Sequence, residues 1–187
     1  MELRPKIDPA IYASANVSCL SHLAKTVTAI KGKLAPRQLA MFRKTIFSHL
    51  LDVDLVFNGP LVHNILLREV EDSTTDSISF NLFGRKVSFG RREFDLISGL
   101  KYDGSLVRKD THVHRLRALY FNDRSDLVLS DLEDLYEAAQ FQDDFDAVKV
   151  SIVYMVEMVL LGRERTVKFD QTLLGIVDDW EVCCNYD

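Results

Sequence analysis

Apolar residues recur three or four positions apart along the first quarter of the chain, the spacing of an amphipathic helix. Residues 18–32 form one such stretch, with an expected inner face of Leu20, Leu23, Ala24, Val27 and Ile30. A second helix is expected to start at Pro36, because proline fits the first helical turn. Its apolar stripe is Leu39, Phe42, Ile46, Phe47 and Leu50.

The period changes from about 3.6 to 2 after residue 76. Ile78, Phe80 and Leu82 alternate with polar residues, and a second alternation follows the Phe83-Gly84 pair. This pattern predicts the chain's one β-hairpin, with Phe80 and Phe89 buried. A short helix over residues 93–98 should follow, with Phe94 and Ile97 facing inward and Gly99 at its end.

The second half of the chain again has helical spacing. We expect a helix over 113–121, another over 131–140, a long helix from 143 to 161 and a last one after Asp170. Ser130 and Glu133 have the spacing of a capping box for the 131–140 helix. Gly162 is well placed to end the long helix.

Together these elements predict a mainly α (α+β) fold, a compact multi-helix domain with one small antiparallel β-hairpin. Apolar residues make up 47% of the 187 residues, enough to bury a core, so disorder is not expected over most of the length. Residues 1–17 are interpreted as a flexible entry and residues 18–187 as a single globular helical domain. The chain contains no 18-residue apolar run and no N-terminal signal region, so we expect no membrane association.

Charge is unevenly distributed, although the net charge is only −5. Residues 1–50 carry eight Lys and Arg against two acidic residues, and residues 84–124 carry ten against five. Residues 125–187 instead carry fifteen acidic residues against four basic ones. A nucleic-acid-binding domain is typically much more basic overall than a pI of about 5.5 allows, so such a role is disfavoured.

Known catalytic and metal-binding patterns are missing from the sequence. The spacing contains no Walker loop and no Gly-x-Ser-x-Gly elbow. His112 and His114 form an H-x-H pair without two further ligands, so neither a metal nor a cofactor is expected. The three cysteines, Cys19, Cys183 and Cys184, fit no disulfide framework. They predict an intracellular protein, in the nucleus or the cytoplasm, and the chain is not expected to be an enzyme.

Several stretches resemble a known family. They are residues 47–52 and 61–69, the central run 80–100, Tyr120-Phe121, residues 159–162 and residues 180–186. The most specific of them is Glu93-Phe94-Asp95-Leu96-Ile97-Ser98-Gly99-Leu100. Over about residues 37–187 the chain resembles the plant domain of unknown function that precedes a SUMO-type protease domain in transposon-associated proteins. Its most specific stretch is also similar to part of the plant mobile domain.

The resemblance implies a targeting or interaction role. A SUMO-type protease needs a His-Trp pair, an aspartate and a glutamine before Cys-Gly, and this chain lacks that set. We therefore expect a non-catalytic domain that binds a protein partner, with the candidate contacts Arg85, Lys86, Arg91, Arg92, Arg115 and Arg117.

Two alternatives remain open from the sequence. The first is a nucleic-acid-binding accessory domain that uses the basic stretches 25–44 and 85–117. The second is an unrecognised small-ligand-binding or enzymatic domain, for which a deep pocket with a perturbed Cys or His would be the sign.

Overall fold

The structure, a computed structural model, describes residues 3–72, 74–100, 115–180 and 183. Within them it confirms the predicted mainly α fold with one small antiparallel hairpin. The helices are α1 (Leu23–Lys33), α2 (Pro36–Phe42), α3 (Gly59–Leu66), α4 (Arg91–Ser98), α5 (Arg115–Tyr120), α6 (Leu129–Ala138), α7 (Asp144–Met155) and α8 (Thr172–Asp178), and the strands are β1 (Ser77–Leu82) and β2 (Arg85–Gly90).

The chain divides into two units. Residues 3–19 and 56–100 form the first, here called the hairpin unit, which contains α3, β1, β2 and α4. Residues 20–55, 115–180 and 183 belong to the second, the helical unit, which contains the other six helices. The predicted boundary at residue 17 and the single domain over 18–187 stay predictions.

Among the described residues, backbone pairing in the hairpin unit extends beyond β1 and β2 on the β1 side only. The Asn81 N–H donates to the Arg68 carbonyl, and the Ser79 carbonyl accepts from the Val70 N–H, both at 2.9 Å. The Lys6 N–H in turn donates to the Glu69 carbonyl at 2.8 Å. The N-terminal segment and residues 68–70 therefore lie on the β1 side, and β2 is the outer strand.

Helix α3 begins at a turn, as the Asn-Gly-Pro sequence predicts. The Asn58 side chain accepts a hydrogen bond from the Leu61 N–H at 3.0 Å and caps the helix. A Cβ on Gly59 would lie 2.4 Å from the Val17 carbonyl oxygen, so only glycine allows this approach. His63 Nε2 donates to the Ala13 carbonyl at 2.8 Å, which ties α3 to the N-terminal segment.

Helix α7 is the centre of the helical unit and packs against α1, α2, α6 and α8. All ten residues from Asp146 to Met155 are buried. The Asp143 side chain accepts a hydrogen bond from the Asp146 N–H at 2.8 Å and caps the start of α7. The predicted long helix continues as a π-helical segment, Val156–Leu161, and ends at Gly162 in the left-handed region, with φ 51°. Past α8, the Trp180 ring meets the Phe145 ring edge-on, with 6.4 Å between centroids.

Three details of the helical unit correct the predictions from spacing. The inner face of α1 is centred on Thr26 and Ile30, while Leu20 is exposed. Helix α2 ends at Phe42, and a 3₁₀ turn, Ser48–Asp52, follows, so Ile46 is exposed.

The third correction is the cap of α6. Helix α6 begins two residues earlier than predicted, and Asp131 accepts a hydrogen bond from the Val128 N–H at 3.0 Å. Glu133 is not a capping residue: it is buried and accepts from Lys25 and Arg165. Its charge is satisfied by tertiary partners, which spacing along one helix does not reveal.

Candidate interaction surface

The two strands of the hairpin are joined by Phe83 and Gly84. Both residues have positive φ, 54° and 78°, as in the type I′ turn that suits the twist of a hairpin. The Asn81 side-chain oxygen accepts a hydrogen bond from the Gly84 N–H at 3.1 Å and supports the turn. Left-handed backbone costs a residue with a Cβ about 1–2 kcal/mol, yet the Phe83 side chain is fully exposed. The turn thus presents an aromatic ring to solvent.

The outer edge of β2 carries backbone groups without partners. A two-residue loop closes on a hydrogen-bonded pair, here Leu82 and Arg85, and pairs of this kind alternate along an antiparallel ladder. The N–H and C=O groups of Lys86 and Ser88 therefore point away from β1. The Gly90 N–H also points outward, but it donates to Glu93 Oε2 at 2.9 Å. No residue in the described part of the chain pairs with the backbone of Lys86 or Ser88.

Apolar side chains on β2 and α4 lie at the surface. Phe80 is buried, as predicted, but the prediction that Phe89 is buried is wrong, because its side chain is 42% exposed. The face of the hairpin that carries Phe80 and Phe89 is therefore buried only in part, because no described element covers its β2 half. In α4 the prediction that Ile97 faces inward is wrong: Ile97 is 77% and Leu96 75% exposed. Neither β2 nor α4 contains a single buried residue.

Four of the six candidate cations belong to these two elements, Arg85 and Lys86 to β2 and Arg91 and Arg92 to α4. Lys86 forms an ion pair with Asp72, and Arg91 Nε lies 2.7 Å from Asp95 Oδ1. Arg85 and Arg92 are exposed and form no ion pair with any described residue.

The position of the two α4 arginines is electrostatically unfavourable within the chain. Arg91 and Arg92 occupy the first turn of α4, at the positive end of the helix dipole. Glu93 offsets part of this charge, since its carboxylate caps the helix at Gly90. Arg91 is offset by Asp95, whereas the charge of Arg92 has no ion-pair partner among the described residues.

A groove runs beside the hairpin turn, between α3 and the end of β1. Its volume is about 520 Å³, within the range of sites that accept small molecules or a few side chains. The lining is mostly apolar and comprises Asn58, Pro60, Leu61, Asn64, Ile65, Arg68, Leu82 and Phe83. The Arg68 guanidinium donates to the Asn64 carbonyl, so the groove's one charged side chain is held along α3. It contains neither cysteine nor histidine.

The other two candidate cations, Arg115 and Arg117, belong to the helical unit and are engaged there. Arg115 reaches two buried carboxylates, with Nη1 2.9 Å from Asp146 Oδ2 and Nε 3.1 Å from Asp178 Oδ2. Lys149 Nζ also donates to Asp178 Oδ1 at 3.0 Å. Arg117 lies 2.7 Å from Asp123.

This ion network determines the pKa of its carboxylates. Burial opposes ionisation of Asp146, but hydrogen bonds from Arg115 and Tyr120 outweigh it and hold the pKa below its usual value. The pKa of Asp178 is lowered in the same way, with burial outweighed by hydrogen bonds from Arg115 and Lys149. These charges serve the interior of the helical unit.

Three features of the surface were not predicted from the sequence: the ring of Phe83, the exposed Leu96 and the unpaired edge of β2. A signal for Phe83 exists, since the first position of a two-residue turn favours Asn, Asp or Gly. A phenylalanine at such a position contributes little to the turn itself.

The described ranges 3–72, 74–100, 115–180 and residue 183 contain no group of three His, Cys, Asp or Glu side chains that could hold a metal ion. His112, His114 and Cys184 lie outside them. Within the same ranges, no helix has the length and apolar character needed to cross a membrane.

Comparison with known proteins gives one match. The family model described as a domain of unknown function (DUF1985) matches residues 66–187. No curated protein and no solved structure matches the chain.

Proposed function

Because this chain belongs to the DUF1985 family of domains of unknown function, with β1, β2 and α4 all inside the matched residues, we propose that it is a non-catalytic domain that binds a partner protein. The binding surface, here called the β2–α4 surface, consists of residues 83–100. This surface includes three features described above: an exposed turn, an outer strand and a helix without a buried residue.

The observation that carries the proposal is the combination of side chains on the β2–α4 surface. Phe83, Leu96 and Ile97 expose large apolar side chains beside two arginines, Arg85 and Arg92, that have no ion pair among the described residues. Val87 and Phe89 add exposed apolar area on one face of β2. Exposed apolar area of this kind is typical of interaction sites on soluble proteins. Aromatic residues and arginines are also the types enriched among the side chains that dominate binding energy at interfaces.

Binding of nucleic acid is less well supported by the same observations. Most described cations of the stretch 25–44 already have internal partners: Lys25 with Glu133, Lys31 and Arg43 with Asp52, Lys33 with the Glu137 carbonyl, and Arg37 with Asp144. Phosphate binding depends on cations that release counterions from the nucleic acid. Cations held by carboxylates contribute less to that effect, so a protein partner is favoured.

The proposal includes a biological setting that rests on the sequence resemblance alone. We place the domain in a plant protein related to transposon-encoded SUMO-type proteases, acting in the nucleus or the cytoplasm as a targeting module. Sequencing the full-length transcript tests this setting. A SUMO-type protease domain downstream would support it, and an unrelated neighbouring domain would contradict it.

Affinity capture with charge-reversed variants tests the binding surface. We expect Arg85→Glu/Arg92→Glu to lose the proteins that the wild-type domain recovers from its own tissue. The matched control is Arg37→Glu/Lys44→Glu, which makes the same change in net charge in the other basic stretch. Equal recovery by wild type and Arg85→Glu/Arg92→Glu would remove the β2–α4 surface from the proposal. Selective loss by the control would move binding to residues 25–44.

A further inference from the structure

We infer that the outer edge of β2 binds an extended segment of a partner protein as an added β-strand. The segment is acidic at both ends and alternates apolar and polar residues between them. This inference rests on the proposed function and specifies how the β2–α4 surface recognises its partner.

The backbone of β2 supplies the first part of the argument. Two N–H and two C=O groups, those of Lys86 and Ser88, face outward without partners in the described part of the chain. Residues 68–70 already pair with the β1 side, so a further strand on the β2 side would extend this pairing to the other edge. Strand addition to an exposed sheet edge is an established mode of peptide recognition, with affinity from the main chain and specificity from alternate side chains.

The side chains of β2 define what the added strand would carry. Val87 and Phe89 lie on one face of the hairpin and are 45% and 42% exposed. Apolar side chains at every second position of an added strand would extend that face. Ser88 lies on the opposite face, where its hydroxyl lies 2.9 Å from that of Ser79, so polar residues fit the alternate positions.

The charged residues at the ends of β2 indicate which charge the ends of the added segment should carry. Arg85 and Lys86 lie at the start of the strand, and Arg91 and Arg92 follow its last residue. Acidic residues at both ends of an added strand would meet Arg85 at one end and Arg92 at the other, the two cations without an ion pair among the described residues. The positive helix end under Arg91 and Arg92 favours carboxylates there as well.

The same charges disfavour a second copy of this chain as the occupant. Two β2 edges paired with each other would bring together Arg85 and Arg92 from each copy, four cations without an ion pair among the described residues. Lys and Arg on an edge strand are a known device against such edge-to-edge pairing. The β2 edge is therefore selective, because it repels the β2 edge of a second copy and attracts an acidic segment.

Two peptides, each measured against the full 187-residue chain, test whether the added strand must be acidic at its ends. The acidic probe is Asp-Glu-Val-Thr-Ile-Thr-Glu-Asp, and its control, Lys-Arg-Val-Thr-Ile-Thr-Arg-Lys, has the same centre. Fluorescence anisotropy should show binding of the acidic probe at least about tenfold tighter than that of the control, the equivalent of a single charge-assisted contact. Equal binding of the two peptides, or no binding of the acidic one, overturns the inference.

A substitution in β2 tests backbone pairing. Ser88→Pro removes an outward N–H and leaves the hydrogen bonds to β1 in place, and proline is tolerated on edge strands. We expect it to weaken binding of the acidic probe about tenfold, as for the loss of one hydrogen bond. Ser88→Ala is the control, because it removes the same hydroxyl but keeps the N–H, and it should bind like wild type.

N-methylated probes test the same point without altering the protein. Methylation of the amides that face β2 should abolish binding, whereas methylation of the alternate amides should leave it intact. If both methylated probes bind equally, strand addition is excluded.

The outcomes separate this inference from the proposed function. If Ser88→Pro binds normally while Arg85→Glu/Arg92→Glu loses its partners, strand addition fails and the proposed function stands. If neither variant changes recovery of partners, both fail. A dimer in sedimentation that Ser88→Pro dissociates would assign the edge to a second copy, and preferential binding of a single-stranded oligonucleotide would assign it to nucleic acid. Either result overturns the inference.

Discussion

Helix α7 contains clustered apolar residues and strand β2 contains alternating ones, but the two elements differ in burial. All ten residues from Asp146 to Met155 in α7 are buried, including Lys149 and Ser151. No residue of β2 is buried, although Val87 and Phe89 are as apolar as their counterparts in α7. An apolar pattern therefore shows which residues share a face, and only packing shows whether that face is already covered.

Charged residues show the same contrast between the two units. In the helical unit, Arg115 and Lys149 point toward buried carboxylates of Asp146 and Asp178. In the hairpin unit, Arg85 and Arg92 have no ion pair among the described residues. Arg115 and Lys149 are thus paired within the helical unit, whereas the hairpin unit leaves both apolar and charged groups exposed.

The largest expected effect comes from truncating the same side chain in each unit. Phe121 is 1% exposed, and Phe121→Ala should lower the free energy of unfolding by about 3–5 kcal/mol. Phe83→Ala removes an equal side chain from full exposure and should leave unfolding almost unchanged. Urea denaturation of both variants measures the difference. Similar losses for the two would show that Phe83 is packed in solution.

A smaller loss is expected when an ion pair is broken inside the helical unit. Asp178→Ala leaves Lys149, whose side chain is 11% exposed, without its carboxylate. We expect the free energy of unfolding to fall by about 3 kcal/mol, the lower end for breaking a buried pair. The lower end applies because Arg115, the other partner of Asp178, is partly open to water. Asp52→Ala is the control, since it breaks the exposed pair with Arg43, and its unfolding curve should match wild type. An unchanged curve for Asp178→Ala would contradict the buried network.

The smallest effect is a change in the pH dependence of stability. Burial raises the pKa of Glu157, which accepts one hydrogen bond, from the Asp170 N–H. A raised folded-state pKa gives stability that is full below the unfolded-state pKa, about 4.3, and is lost as pH rises through the folded-state value. Glu157→Gln does not titrate, so its stability relative to wild type should increase with pH.

Chemical denaturation at a series of pH values from about 4 to 8 would measure this trend. A carboxyl group with a raised pKa titrates within about this range. Glu164→Gln, at an exposed position, is the control and should follow wild type throughout. A constant difference between Glu157→Gln and wild type would show that Glu157 is not buried as described. Asp146 and Asp178 act in the opposite direction, because their lowered pKa values cost stability only when the pH falls.

Much of the local structure could be predicted from the sequence because its causes are local. Alternation over residues 77–82 gave β1, and Gly99 in the left-handed region ends α4 as expected. The cap at Asp143 follows from the preference of a short carboxylate for the helix start. In each case the residues that determine the feature lie within a few positions of it.

The candidate site could be predicted only in part, for a physical reason. Arg85 and Arg115 look alike in sequence, yet one has no ion pair in the described structure and the other reaches Asp146 and Asp178, 31 and 63 residues away. Likewise Phe80 and Phe89 share a face of the hairpin but differ in burial, since Phe80 lies on the inner strand and Phe89 on the outer one. Only tertiary contacts distinguish the two strands. Long-range partners decide which cations and apolar side chains remain available, and spacing does not encode them.

The position of the chain's single tryptophan has a spectroscopic consequence. Trp180 packs edge-on against Phe145 in the helical unit, and the hairpin unit has no indole. Selectively excited tryptophan emission therefore reports on the helical unit alone. Far-ultraviolet dichroism, by contrast, reports on the backbone of both units. Any gap between the two signals during denaturation would measure how independently the two units unfold.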